Sequence, residues 1–447
     1  MAKILLISCN ITQQPYPVYP LGLTMVAEAA RKKGHTVVEW DPLLEDDIIK
    51  VLRENRFDII GLSIRNVDNV NFTQSESYTP YYTQLVKQLR EHSSSTIVLG
   101  GAGYSIFPKE LLEETGADYG VVGEGEKAFC ELIEQIEKGN PPTEKIIRSN
   151  CLLEGSEISA NSRNILLADY YLKNGGMLNI QTKRGCPHQC AYCSYPTLEG
   201  NCYRFRPTED VLDEIQILVE KYHADYFSIT DSVFNDSKGN YLQIAKGLIS
   251  RNISVPWMAF FRPQNFKKEE IELLKRSGLS SVEWGTDCST DETLQEMNKD
   301  FCWEEVAHCN ELFSSAGISN SHFIIFGGPG ETQKTVCEGL DNIAKLQNCV
   351  VFASIGVRIF PNTPIHSRLI KEGIVQEGEN LLQPKFYFSD SIKSENLHNE
   401  IVASFGLQID RVYPYGQDIE KIKAFHRLGY RGPIWDMLLR KKETRIK

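Results

Sequence analysis

The chain of 447 residues has no apolar run approaching the ~20 residues that a membrane-spanning helix needs. It carries a formal net charge of −11, and its runs of Lys or Arg reach only three residues, at Arg31-Lys32-Lys33 and Arg440-Lys441-Lys442. Phosphate backbones are held by clustered cations, so no nucleic-acid partner is expected. The short apolar start, Met1 to Ser8, runs into Cys9, Asn10 and Pro15 rather than a small-residue cleavage site, and so reads as a buried strand, not a signal peptide. Together these absences lead to the expectation of a cytoplasmic protein with no membrane contact. Its twelve cysteines are then expected to be thiols, since disulfides are rare in a reducing compartment. No pair of C-x-x-C knuckles is present, which removes the usual frame of a structural zinc site. No internal repeat and no low-complexity tract appears.

What is present is the run Arg184-Gly-Cys186-Pro-His-Gln-Cys190-Ala-Tyr192-Cys193, spaced C-x-x-x-C-x-x-C. Three thiolates this close can hold three irons of a [4Fe–4S] cluster and leave the fourth iron open. Cys202 is too far along to complete a closed site. Cys130, Cys309, Cys337 and Cys349 lie in apolar or helical surroundings and read as small buried hydrophobes.

Periodicity divides the chain in two. Apolar runs of strand length at 3–8, 36–40, 57–64, 96–99 and 119–122 alternate with helical patterns, ending with a helix over 126–138. This predicts an α/β domain over 1–140 built on a doubly wound, Rossmann-like parallel sheet. Such a sheet binds ligands at the carboxyl ends of its strands, here 8–10, 63–66, 100–103 and 123–125. The turn-rich Gly139-Asn-Pro-Pro-Thr marks a boundary, and 141–177 reads as a connector with a small hairpin around Gly155. Six strand–helix units follow over 178–370 and predict a partial (β/α)6 barrel, which also works at the carboxyl ends of its strands. Residues 371–447 lack an α/β period and are rich in aromatics (Phe386, Tyr387, Phe388, Tyr413, Tyr415, Trp435). They are expected to form a small α+β region that covers the substrate.

The cysteine spacing, with aromatic Tyr192 before the third Cys, resembles the cluster loop of the radical S-adenosylmethionine (SAM) superfamily. The resemblance implies that Cys186, Cys190 and Cys193 hold the cluster and that SAM chelates its open iron. It implies SAM contacts at Tyr192, at Asp231 after the second barrel strand and at Asp287 after the fourth. Gly327 and Gly328 after the fifth strand and Arg358 on the last are implied as well. Where family members often carry Glu-Ser, this chain has Asp287-Cys288.

A doubly wound domain ahead of such a barrel resembles the cobalamin-binding subfamily. The resemblance rests on Tyr19-Pro-Leu-Gly-Leu, Lys33-Gly-His-Thr-Val, Asp58-Ile-Ile-Gly-Leu-Ser, Gly100-Gly-Ala-Gly-Tyr-Ser and Gly123-Glu-Gly-Glu. Cobalamin contacts are implied at Ser63, Arg65, Asn66, Gly100, Gly101, Gly123 and Glu124. The Asp-x-His-x-x-Gly motif that supplies a lower histidine ligand is absent, and His35 reads as a surface turn residue. Arg65 and Asn66 are therefore candidates for the lower face of cobalt, where a guanidinium cannot act as a ligand.

The resemblance implies a C-methyltransferase acting on an unactivated carbon through methylcobalamin and a 5′-deoxyadenosyl radical. A flavodoxin or ferredoxin would donate electrons, and the substrate would be a small molecule or a peptide. The alternatives are a rearrangement or cyclisation with the same cofactors, a corrinoid sensor, and a methylthiotransferase. The last would want further cluster cysteines in the N-terminal half, which offers only Cys9, Cys130 and Cys151.

Overall fold

The computed structural model describes residues 1–13, 16–149, 151–414 and 419–439. The Arg440-Lys441-Lys442 run and Tyr415 lie outside the described residues.

The N-terminal apolar runs fold as six parallel strands: β1 (Lys3–Ser8), β2 (Thr36–Trp40), β3 (Ile59–Ser63), β4 (Thr96–Gly100), β5 (Tyr119–Val122) and β6 (Ile146–Arg148). Their order is β2-β1-β3-β4-β5-β6. Helices cover both faces, which is why the strands read as unbroken hydrophobic runs. Leu5, Ile7, Ile60 and Leu62 pack with Leu85 and Leu89 on one side, and Ile4, Leu6 and Val98 with Ala27, Phe129 and Ile133 on the other. The order reverses between β1 and β3, so the crevice of this sheet opens at Asn10 and Ser63.

Two expectations for the connector are corrected. β6 falls inside it and extends the first sheet, and Gly155 sits in a single 3-10 turn (Gly155–Glu157), not a hairpin. The turn is wedged so tightly on Phe205 that a Cβ on Gly155 would meet its carbonyl oxygen. His35 is also buried rather than a surface residue, its Nδ1 accepting the Ala2 N–H at 3.1 Å.

The second half forms a curved parallel sheet with β7 (Leu178–Ile180) at one edge. A short antiparallel pair, β8 (Lys183–Arg184) with β9 (Arg204–Phe205), brackets the cysteine loop. Then come β10 (Phe227–Ile229), β11 (Trp257–Phe261), β12 (Leu279–Asp287), β13 (Ser319–Phe326) and β14 (Cys349–Ile355). β15 (Val357–Arg358) pairs antiparallel with β16 (Phe386–Tyr387), and β17 (Arg411–Val412) joins the main sheet beside β14. The order is β7-β10-β11-β12-β13-β14-β17, so the tail adds a seventh strand to the six that periodicity predicts.

Alternation along the strands separates an outer, helix-covered face from an inner one. Outward, Phe261, Phe266, Trp284 and Phe313 form one aromatic cluster, all pairs but the tilted Phe261–Phe266 edge to face, with ring centroids 5.0–6.2 Å apart. Inward, the residues are more polar: Asn179, Ser228, Ser281, Glu283 and Ser321. The lower end of the barrel is closed by the tail, where Trp435 packs among Val350, Phe352 and Val412.

Candidate functional site

The cysteine loop leaves β8 and is held by backbone contacts from three directions. Cys186 N–H donates to Gly200 O at 3.0 Å, Ala191 N–H to Met297 O at 2.9 Å, and Ile365 N–H to Ala191 O at 2.8 Å. Cys193 N–H turns back on Cys190 O at 3.1 Å. Burial raises the Cys186 thiol and pushes that of Cys193 up to about 12, and the charge of Cys190 adds to both. An iron cluster would replace those protons, and the cations facing the loop, Lys299 and Arg262, offset its negative charge. Three soft donors on one short, tightly tethered loop suit an iron–sulfur cluster.

Lys299 was not among the residues expected from sequence, where it is one lysine following a short helix. Its ammonium pairs with Asp287 while lying 5.5 Å from the ring centroid of Tyr192, and Tyr192 O–H donates to the same carboxylate at 2.5 Å. Burial works against the Lys299 charge, but Asp287 outweighs it and raises the pKa. Asp287 ends β12 in the left-handed region, φ 61°. Strained backbone of this kind persists only where surroundings over-determine it. Tyr192 and Asp287, both expected at the SAM site, are thus brought together beside the cluster loop.

The other four residues expected at the SAM site already have protein neighbours. Asp231 is buried, and its carboxylate accepts from Thr182 N–H at 2.7 Å, from the Thr182 hydroxyl and from Lys183 N–H, with Lys183 Nζ at 3.3 Å. It fixes the strand that enters the loop. Arg358 bonds Asp68 of the first domain at 2.9 Å, Ile359 O at 2.6 Å and Leu381 O at 2.8 Å, which makes it a tie between domains. Gly327 has φ 85°, and the Phe388 ring lies 2.8 Å from where its Cβ would be, so the expected nucleoside cradle is filled by a side chain. Gly328 is covered by Val357 and Met297.

Between the two domains lies a cavity of about 1000 Å³. Ser63, Arg65, Asn66, Gly100, Gly101, Gly123 and Glu124 all line it, so every residue expected at the cobalamin site faces one space. Gly101 (φ 96°) is required there, because a Cβ would sit 2.5 Å from Ile64 O where the β4 turn closes on the end of β3. Arg65 is exposed to the cavity and makes no hydrogen bond or ion pair with the described residues. The Asn10 amide nitrogen is buried at the cavity wall with no partner among them. An amide-rimmed corrin ring would supply partners to both, so the lining fits that group. Glu124 is the exception. Its carboxylate is already taken by Arg204 at 2.6 Å, Arg184 at 3.1 Å and Leu153 N–H at 2.5 Å, which holds it below the usual range despite burial.

The far wall of the cavity belongs to the barrel: Asn179, Gln181, Arg184, Ser194, Tyr195, Glu199 and Thr230. Ser194 and Tyr195 directly follow Cys193, and their place at the domain junction has no signature in sequence.

Comparison with known proteins agrees with this arrangement. The family model of the B12 binding domain matches residues 7–133, and that of the radical SAM superfamily matches residues 180–343. The chain is 23% identical to a tryptophan 2-C-methyltransferase of Streptomyces laurentii, over 80% of this chain and 73% of that one. It is 26% identical to an anaerobic magnesium-protoporphyrin IX monomethyl ester cyclase of Rubrivivax gelatinosus, over 71% and 60%. Among solved structures, the radical SAM methyltransferase TsrM of Kitasatospora setae, with tryptophan and a SAM analogue bound, shares the fold. Its TM-score is 0.86 at 22% identity, covering 99% of this chain and 98% of that one.

Proposed function

We propose that this chain, which matches the radical SAM superfamily and B12 binding domain models, is an enzyme that transfers a methyl group to carbon on a small molecule. The observation that carries this reading is the shared cavity, which meets the corrinoid-type loops on one side and the segment after Cys193 on the other. When bound, cobalamin carries the methyl group and a [4Fe–4S] cluster delivers the electron that cleaves SAM.

The protein's own work is placement. Cys186, Cys190 and Cys193 hold the cluster, while Tyr192, Asp287 and Lys299 orient the polar end of SAM beside it. Ser63, Asn66, Gly100, Gly101 and Gly123 seat the corrinoid. Arg65 would face it with a guanidinium, which offers no lone pair to a metal. Electrons would come from a flavodoxin or ferredoxin. The similarity to a methyltransferase acting on tryptophan supports methylation of a small molecule. The similarity to a cyclase supports a second reading, ring formation or rearrangement without methyl transfer.

Anaerobic reconstitution followed by incubation of cell extract metabolites with methyl-deuterated SAM separates the two. Methylation yields a product carrying the labelled methyl, whereas rearrangement yields an unlabelled product alongside 5′-deoxyadenosine. The same preparation should hold about four irons per chain, lost in the triple Cys→Ala variant; about eight would reveal a second cluster and reject the single-cluster assignment.

A further inference from the structure

The cavity between the domains reaches Asn179, Gln181 and Thr230, at the mouth of the barrel where β7 and β10 end. Deeper inside, strand register sets Phe260, Glu283 and Ser321 side by side on one inward-facing rung. Their chain neighbours Phe261, Val282 and Trp284 point outward into the helix-covered core. Phe260 is 39% exposed although its strand is internal to the sheet, which indicates open space over its ring. Ser321 is fully buried, and its hydroxyl has no hydrogen-bond partner among the described residues.

Glu283 differs from three other buried acids of this barrel, each of which faces a cation. Asp231 has Lys183, Glu214 has Arg163 and Arg206, and Asp287 has Lys299. Glu283 has no cation among the described residues; it accepts only the Trp435 indole N–H, at 3.0 Å. Burial raises its pKa to about 7, against the opposing effect of that hydrogen bond. An isolated buried carboxylate is costly unless something supplies the missing charge or donor. Here it stands on the inner face of the barrel sheet, next to an unused hydroxyl and beside the partly exposed ring of Phe260.

We propose that Glu283, assisted by Ser321 and steadied by Trp435, is the substrate anchor, and that the substrate joins a basic nitrogen to an apolar body lying along Phe260. The nitrogen would donate to the free side of the Glu283 carboxylate and to Ser321. The apolar body would point up the lumen toward the cavity, presenting a carbon to the reacting centre. This assignment depends on the enzyme reading above only for the location of the substrate inside the barrel.

The test uses the holoenzyme and two probes of nearly equal shape, 2-phenylethylamine and 2-phenylethanol, titrated calorimetrically. The amine is expected to bind at least ~10-fold more tightly than the alcohol, equivalent to about 1.4 kcal/mol. Glu283→Gln should erase that preference while retaining iron and cobalamin, and Trp435→Phe, which keeps the carboxylate, should preserve it. Equal affinity for the two probes, absence of binding by both, or an unchanged preference in Glu283→Gln overturns the proposal. Release of 5′-deoxyadenosine is measured on the same preparation. Its absence from wild type rejects the enzyme reading, whereas its presence without an amine preference rejects the anchor alone.

Discussion

At the scale of single residues, buried acids show how the same side chain is put to different uses. Glu331 receives Gly327 N–H at 3.1 Å and the Thr335 hydroxyl at 3.0 Å, yet burial still raises its pKa to about 7. A carboxyl whose folded pKa lies above its unfolded value of 4.5 binds more protons in the native state across that window. Stability is therefore expected to fall as pH rises from about 4.5 to about 7, by up to ~3 kcal/mol, and to level off above. In Glu331→Gln this slope should become shallower, with Glu283 supplying part of the remainder, as read from urea midpoints at a series of pH values. Such behaviour is invisible in sequence, where Glu331 is one acid after a Gly-Gly-Pro-Gly turn. The cysteine loop is the opposite case: its spacing alone identifies the chemistry, because ligands to one cluster are close in the chain. Asp231 and Arg358, expected at the SAM site, have protein partners here that sequence does not show. A charged residue at a strand end looks the same whether it faces a ligand or ties Lys183 or Asp68 in place.

At the scale of elements, the alternation of strand and helix was legible for both sheets, since buried parallel strands are apolar on both faces. The short pieces were not. β8, β9, β15, β16 and β17 are each two residues long and carry no periodic signal. Yet they decide what covers the barrel. The β15–β16 pair lays Phe388 into a notch between Gly327 and Gly356, its ring 2.7 Å from the Cβ position of Gly356. From the first domain, Phe72 meets Phe388 edge to face with centroids 4.7 Å apart. Gly356 has φ 76°, so Gly356→Ala combines backbone strain of ~1–2 kcal/mol with displacement of that ring. Hydrogen exchange over 384–392 is expected to accelerate in this variant, with the sheet of the first domain unaffected. Unchanged protection there would show that the notch does not hold the β16 segment.

On the scale of the whole molecule, the two domains are tied at several separate points around the cavity. Asp68 meets Arg358 on one side, Glu124 and Glu126 meet Arg184 on another, and Asp41 accepts from Tyr171 at 2.8 Å behind them. These ties are buried or nearly so, and breaking one partner of a buried pair typically costs about 3–5 kcal/mol. The tail adds a different kind of closure. β17 pairs with β14, and Trp435 seals the barrel floor beneath Glu283, both long after the last strand–helix unit in the chain. During synthesis, then, β14 is an open edge and the lumen is unfloored until these residues emerge. An unpaired parallel edge templates association with other chains, and contacts this distant in sequence form late. Chains shortened to end at Phe405 are therefore expected to collect in the insoluble fraction, while the full chain, expressed alike, stays in solution. Equal solubility of the two would mean the barrel matures without its tail. Otherwise the fold itself sets a schedule, in which the barrel is completed only once β17 and Trp435 have been made.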